Sequence, residues 1–229
     1  MSDKGLEKII FATGNAGKMK EIRMILADMG LEILSMKEAG ISLDIEENGA
    51  SYEENALLKA RAVAVCAEAQ NAIVLADDSG LEVDYLGGEP GMYSARYLGE
   101  DTPYSVKNAN LIARLQGVPD EERTARFVCA IAAVVPAQAS AWIPTQAKDS
   151  ERKASQSLEF TVRAAIEGRI GYEEKGTHGF GYDPIFYVPE FGKTTAELTE
   201  EEKNQVSHRG KALRLMKEEL RRHESIDCQ

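Results

Sequence analysis

Residues 8–30 read KIIFATGNAGKMKEIRMILADMG, and this stretch decides the class of the fold. Lys8 to Ala12 is a short apolar run, which Thr13-Gly14-Asn15-Ala16-Gly17 interrupts with turn-forming residues. Ile22, Ile25, Leu26 and Met29 then recur at helical spacing until Gly30 offers a C-cap. The pattern predicts a strand, a tight loop and a helix. Downstream the alternation continues. Ser51 and Glu54 have capping-box spacing, and the following NALLKARAVAVCAEA is rich in good helix formers, which predicts a helix from about Tyr52 to Ala69. Ala72 to Ala76 has strand length, and Asp77-Asp78-Ser79-Gly80 reads as the turn that ends it.

Pro103 to Leu115 reads as helix, and RFVCAIAAVV (126–135) and LEFTVRAAIEGRIGYE (158–173) read as Val-, Ile- and Phe-rich strands that pair as a hairpin. Pro136 to Ser157 is polar and far longer than a hairpin loop of about two to five residues, so it reads as a long loop or insertion. GTHGFGYDP (176–184) is a glycine-dense turn leading into the strand-like IFYVP. Thr199 and Glu202 again fit a capping box, and Leu213, Met216 and Leu220 repeat at helical spacing toward a basic last turn at Arg221 and Arg222. No internal repeat is visible. The expectation is one α/β domain over residues 1–229, its core spanning about 8–220, with a mixed sheet.

A chain of 229 residues with 43% hydrophobic and 28% charged residues has the balance of a globular protein, which excludes disorder as its main state. Its formal net charge of -11 repels phosphate backbones and anionic membranes at long range, so neither nucleic acid nor membrane is expected as a partner. A small anionic ligand is still allowed where local cations and backbone N–H groups invert the sign. Cys66, Cys129 and Cys228 have neither disulfide nor zinc spacing. With no leader-like N-terminus and no run of roughly 20 apolar residues, a cytoplasmic location is expected.

Four constellations could carry chemistry. TGNAGK (13–18) places glycine-freed amides and a lysine at a helix N-terminus, a natural phosphate cradle. It departs from the Walker pattern in spacing and in Met19 after the lysine, and an ordinary strand-to-helix turn accounts for it equally well. Glu46-Glu47 and Asp77-Asp78 offer the hard oxygens that magnesium needs when it bridges phosphates, although Asp-Asp-Ser-Gly alone is more simply a turn. GFGYDP supplies two glycines for close approach and two aromatic faces for a base, or a buried aromatic turn. SHRG (207–210) puts a cation and an imidazole at a helix junction, or on a solvated surface. Lys203 reads as surface by default, and His178 and His223 as solvated and without a role.

Together, TGNAGK, EENG with SYEENALLKA, ADDSGLEVD, GGEPGMYSARY, GFGYDPIF and EEKNQVSHRGKAL, in this order from Lys8 to Leu220, resemble the inosine triphosphate pyrophosphatase family. The resemblance implies a two-lobed α/β domain around a long mixed β-sheet with flanking helices, a substrate cleft between the lobes, and a homodimer. It implies Mg2+-dependent hydrolysis of non-standard purine nucleoside triphosphates, ITP, dITP and XTP, to the monophosphate and pyrophosphate. Carried over by position, Thr13, Asn15 and Lys18, with the amides of Gly14, Ala16 and Gly17, would bind the triphosphate, and Lys59 would add charge. Glu47 would hold magnesium, Asp78 would serve as general base beside the metal, Asp77 would support them, and Ser79 would contact substrate. Phe180, Gly181, Tyr182 and Asp183 would line the purine pocket, with Phe180 stacking, and Lys203, His208 and Arg209 would contact the base.

Lys203 and Arg209 carry only donors, which suits a 6-oxo acceptor and disfavours adenine's 6-amino group. The mechanism this implies is attack of water on the α-phosphorus, with Asp78 taking its proton. Two other readings stand beside it: a non-catalytic purine-nucleotide sensor, and a phosphatase that releases orthophosphate.

Overall fold

The computed structural model describes residue 6 and residues 8–136 and 157–225, so the long segment after Pro136 lies outside the described residues except for its two ends. The opening strand–loop–helix forms as read, with β1 (Lys8–Phe11), α1 (Ala16–Leu26) and β2 (Glu32–Ser35). Asn15 caps α1 through its side chain, and Gly30 takes the left-handed conformation at φ 67° that ends the following 3₁₀ turn.

β1 is parallel to β2, with Lys8 opposite Glu32 and Phe11 opposite Ser35. It is also parallel to β3 (Ala72–Val83), with Lys8 opposite Ala72 and Phe11 opposite Leu75. β4 (Pro90–Gly91) pairs antiparallel with β3. The remaining strands are β5 (Thr124–Val135), β6 (Leu158–Ile170), β7 (Phe186–Val188) and β8 (Lys193–Thr194). They complete an eight-stranded sheet in the order β2-β1-β3-β5-β6-β7-β8, with β4 on β3. β7 is antiparallel to both β6 and β8. Where β6 ends beside the start of β5, the Ile170 amide donates to the carbonyl of Arg123, just ahead of β5, while Arg126 pairs with Glu167, so the partners run in opposite senses. The predicted hairpin and mixed sheet are both present.

The chain divides into two compact units, one of residues 1–78, 130–163 and 212–229, the other of 79–129 and 164–211. In the first, α2 (Tyr52–Ala64) buries Ala56, Ala60 and Val63 against Ala72, Val74 and Ala76 of β3 and Ala132 and Val134 of β5. The small α2 side chains follow the helical repeat, and the β3 residues follow the strand repeat of two. In the second, α3 (Tyr104–Arg114) contributes Leu111 to a core with Leu81, Phe127, Ile166, Ile185 and Phe186. The chain ends in α4 (Glu200–Val206) and α5 (His208–Ser225).

Several elements differ from the reading of the sequence. α2 ends at Ala64, because Cys66 is extended and Ala67–Ala69 forms a separate 3₁₀ turn. The β-branched Val63 and Val65 are weak helix formers, and Val65 stands in solvent, so nothing holds a further helical turn there. The Ser51 hydroxyl accepts from the Glu54 amide at 3.1 Å, but the Glu54 carboxylate accepts from Ala50 rather than from Ser51, so only half a capping box forms.

The box at Thr199 and Glu202 is complete, at 3.2 and 2.8 Å. Past it the helix junction expected at 207–210 is present, since the extended backbone of Ser207 ends α4 and its hydroxyl accepts from the Gly210 amide of α5. His223 is half-buried with its ring 5.0 Å from Phe160, because it continues the Met216 and Leu220 stripe that faces inward. The largest departure is β3, which runs straight through the Asp77–Gly80 stretch read as a turn.

Candidate active site

The partners of β3 explain its length. Alternate residues on a strand face opposite ways, so Asp77 and Asp78 address different neighbours. Asp77, 2% exposed, accepts from the Lys18 ammonium of α1 at 3.0 Å. Asp78 continues the face of Ala72, Val74 and Ala76 that packs on α2, where Asn55 donates to its Oδ2 at 3.0 Å. The Lys59 ammonium, one helical turn beyond Asn55, lies 3.7 Å from Asp78 Oδ1 and 3.1 Å from Glu47 Oε1. Turn-forming residues thus stay extended because helices on both sides supply their hydrogen bonds.

Asn55 also accepts from the Gly49 amide at 2.8 Å, which ties the EENG loop carrying Glu47 to the Asp78 side chain. A Cβ on Gly49 would lie 2.8 Å from that Asn55 oxygen, so glycine permits the approach. Asp78 is buried, and burial is the largest influence on its carboxyl, raising its pKa above the ordinary value. Lys59 and Asn55 oppose the rise, while the charges of Glu47 and Asp77 add to it.

Ahead of α1, the Thr13 hydroxyl accepts from the Asn15 amide at 3.2 Å, and Asn15 Oδ1 accepts from the Lys18 amide at 3.1 Å. A Cβ on Gly14 would meet nothing within 4 Å, so this backbone is open to an approaching group. Gly14, Asn15, Ala16 and Gly17 are exposed, and Thr13 and Lys18 half-buried. The first unit therefore gathers Lys18 with Asp77, and Lys59 with Glu47 and Asp78. Among the described residues no three of the His, Cys, Asp and Glu side chains gather into a set able to hold a metal ion. Glu47 and Asp78 share hard oxygens around one cation, which fits magnesium's habit of taking one or two carboxylates and completing its shell with phosphate oxygens and water.

In the second unit Asp183 is the hub. Its Oδ2 accepts from the Phe180 amide at 2.8 Å and from the Lys203 ammonium at 2.7 Å, and its Oδ1 accepts from the Thr195 hydroxyl at 2.8 Å. Lys203, read as surface by default, is only 6% exposed. Gly179 makes the hub possible, since at φ +77° a Cβ would fall 2.2 Å from Asp183 Oδ2. The Phe180 ring stays partly exposed with two cations over it, Lys203 at 5.1 Å and Arg209 at 5.6 Å from its centroid. Arg209 also donates to the Ser79 hydroxyl at 3.2 Å.

Two further residues of these motifs are enclosed by the fold. Tyr182 offers no open face: it is 3% exposed, meets Tyr104 edge-on at 5.2 Å and donates to the Ser94 carbonyl at 2.7 Å, and burial pushes its hydroxyl pKa up. His208 is buried with its ring stacked on Phe127 at 4.8 Å.

Comparison with protein families matches residues 9–219 to the Ham1 family. The chain belongs to this family. It is 44% identical over 219 residues to the dITP/XTP pyrophosphatase of Clostridium perfringens, spanning 94% of this chain and 98% of that protein. The dITP/XTP pyrophosphatase of Bacillus subtilis is 44% identical over 209 residues, 91% of this chain and 94% of that one. Among solved structures, the Staphylococcus aureus Ham1 protein aligns with a TM-score of 0.72 at 37% identity over 94% of this chain and 98% of its own. A HAM1 protein from Coxiella burnetii aligns at 0.75 and 33% identity, over 94% and 99%. The membership read from the motifs holds, and so does the mixed α/β fold.

Some residues that build the site in this Ham1 chain carry no signal of their own. Asn55 lies inside SYEENALLKA, where one asparagine among helix formers reads as surface. Thr195 and Ser94, which hold Asp183 and Tyr182, sit in segments whose tertiary partners no local pattern announces.

Proposed function

We propose that this Ham1-family protein is a hydrolase that converts non-standard purine nucleoside triphosphates, ITP, dITP and XTP, to the nucleoside monophosphate and pyrophosphate. The observation that carries the reading is Asp78: a buried carboxyl with a raised pKa, beside a lysine and a second carboxylate, on the strand that also engages the lysine of the TGNAGK loop. A base must hold its proton with moderate affinity to be useful near neutral pH, and burial moves Asp78 in that direction. The names of relatives that share 44% identity over nearly the whole chain support the same chemistry.

In this reading the open amides after Thr13, with Lys18 and Lys59, take the triphosphate, and its charge competes with Asp77 and Glu47 for the two ammonium groups. Asp78 accepts a proton from water. The water oxygen bonds to the α-phosphorus as that atom's bond to the bridging oxygen breaks, and pyrophosphate departs. Glu47 and Asp78 would hold Mg2+, which supplies positive charge to the phosphate oxygens when bound. Phe180 offers the purine a stacking face, and Lys203 and Arg209 offer donors to a 6-oxo group, which disfavours adenine. Asp183 acts by holding Lys203 and Phe180. The whole core serves one reaction, in a cytoplasmic homodimer whose size sedimentation would test.

The direct test supplies ITP, XTP, dITP, GTP and ATP with and without Mg2+, and quantifies pyrophosphate and orthophosphate separately. Metal-dependent pyrophosphate release, far faster from ITP, dITP and XTP than from ATP, is expected. Orthophosphate release would place the broken bond elsewhere, and binding without turnover would make the protein a sensor.

A further inference from the structure

One face of α3 carries Tyr104, Lys107 and Asn108, which stand three and four residues apart. Lys107 and Asn108 hold irregular backbone, and Tyr104 packs on a ring. The Lys107 ammonium, on a side chain that is almost fully buried, donates to the Ala95 carbonyl at 2.5 Å and lies 4.8 Å from the Tyr104 ring centroid. Tyr104 packs edge-on against Tyr182. Asn108, 1% exposed, donates its Nδ2 protons to Glu174 Oε1 at 2.7 Å and to the Gly181 carbonyl at 3.3 Å.

The Phe180 turn needs such restraints. Gly179 and Gly181, on either side of Phe180, both have positive φ, at +77° and +70°. A turn with two flexible glycines loses much conformational freedom when it settles, and the Phe180 ring is too exposed to anchor itself. Two side chains do the anchoring. Asp183 takes the Phe180 N–H, and Asn108 takes the carbonyl of the next residue. Asn108 Oδ1, meanwhile, is buried with no hydrogen-bond partner among the described residues. A buried acceptor without a partner lowers stability, so this asparagine is not the residue that folding alone would favour at the position.

We infer that Asn108 is a positioning residue for purine recognition: it fixes the Gly181 carbonyl and with it the Phe180 ring, without touching the phosphate chemistry. The inference rests on the assignment of Phe180 to the purine made above. It predicts an asymmetry that a purely structural role would not produce, since purine binding should suffer while phosphate binding does not.

The experiment measures binding of IMP and of inorganic pyrophosphate by calorimetry in magnesium buffer, together with ITP kinetics, for wild type, Asn108→Asp and Glu174→Gln. Asn108→Asp keeps the shape but turns the donor into a carboxylate oxygen facing two acceptors. It should weaken IMP binding about tenfold or more through the lost contact and new repulsion, and raise KM for ITP more than it lowers kcat. Pyrophosphate binding should stay within about twofold.

Glu174 is exposed, so Glu174→Gln should fold normally and give a smaller loss of IMP binding with the same asymmetry. Equal weakening of IMP and pyrophosphate, or unchanged IMP binding, in the variants that fold would overturn the assignment of Asn108. A wild-type protein that binds pyrophosphate but not IMP would overturn the purine reading and this inference with it.

Discussion

The Lys59 ammonium lies 3.1 Å from the Glu47 carboxylate and so occupies, as a fixed cation, the carboxylates proposed to hold a metal. Asp78 is 3.7 Å from the same nitrogen. A lysine in this place balances charge in the protein by itself and competes with a divalent ion. Lys59→Met should therefore tighten binding of Mn2+ alone, read by electron paramagnetic resonance, by about threefold or more, since a neighbouring positive charge is removed. The same variant should lose about tenfold or more in kcat/KM for ITP, because the phosphates lose a donor. Unchanged or weaker metal binding would show that Lys59 does not shield the carboxylates.

Asp78→Asn keeps the size of the side chain and removes its capacity to take a proton. Turnover of ITP should fall by about 100-fold or more, the range expected for loss of a general base. Circular dichroism should report an intact fold. Survival of turnover within a few-fold would remove Asp78 from the base role.

Lys18→Ala bears on binding and folding together. The Asp77 carboxylate it engages is almost wholly buried, so loss of the ammonium should cost about 1–2 kcal/mol in urea unfolding, a value kept low because Lys18 is partly open to solvent. KM for ITP should rise as well. A variant that is as stable as wild type would show that Asp77 is satisfied without Lys18.

Glu38 supplies a pH signature distant from the chemistry. Its carboxylate accepts from the Ser35 amide at 2.8 Å and hydroxyl at 2.7 Å and from Arg23, and these bonds lower its pKa from 4.5 to about 2, the Ser35 amide contributing most. A depressed folded-state value means that the stabilisation is fully present above about pH 4.5 and is lost as pH falls toward 2. The stability gap between wild type and Glu38→Gln should therefore narrow across that interval in urea titrations. A gap independent of pH would contradict the assignment.

What was legible in the sequence was local. The strand, loop and helix between Lys8 and Leu26, the Thr199–Glu202 box and the helical spacing of Leu213, Met216 and Leu220 depend on residues a few positions apart, and each stands as read. The Asp77–Gly80 segment was misread because its turn propensity is overridden by Lys18, Asn55, Lys59 and Arg209, which approach from other elements. The burial of Lys203 was hidden for the same reason. Its charge looks solvated in a helix rich in glutamate, and only the fold reveals Asp183 as its partner. The collinear motifs named candidate site residues that periodicity could not, yet they remained silent on Asn108, which falls outside all of them.

The continuation of β3 through two aspartates also matters before the chain has folded. Ala72 to Ala76 is an uncharged, apolar, strand-prone segment of the type that associates between unfolded chains. Asp77 and Asp78, ionised in the unfolded chain, follow it directly and act as gatekeepers that oppose stacking of one copy on another. The same carboxylates therefore guard solubility during synthesis, and neutralising both should lower the yield of soluble protein on refolding even where the native structure tolerates the change.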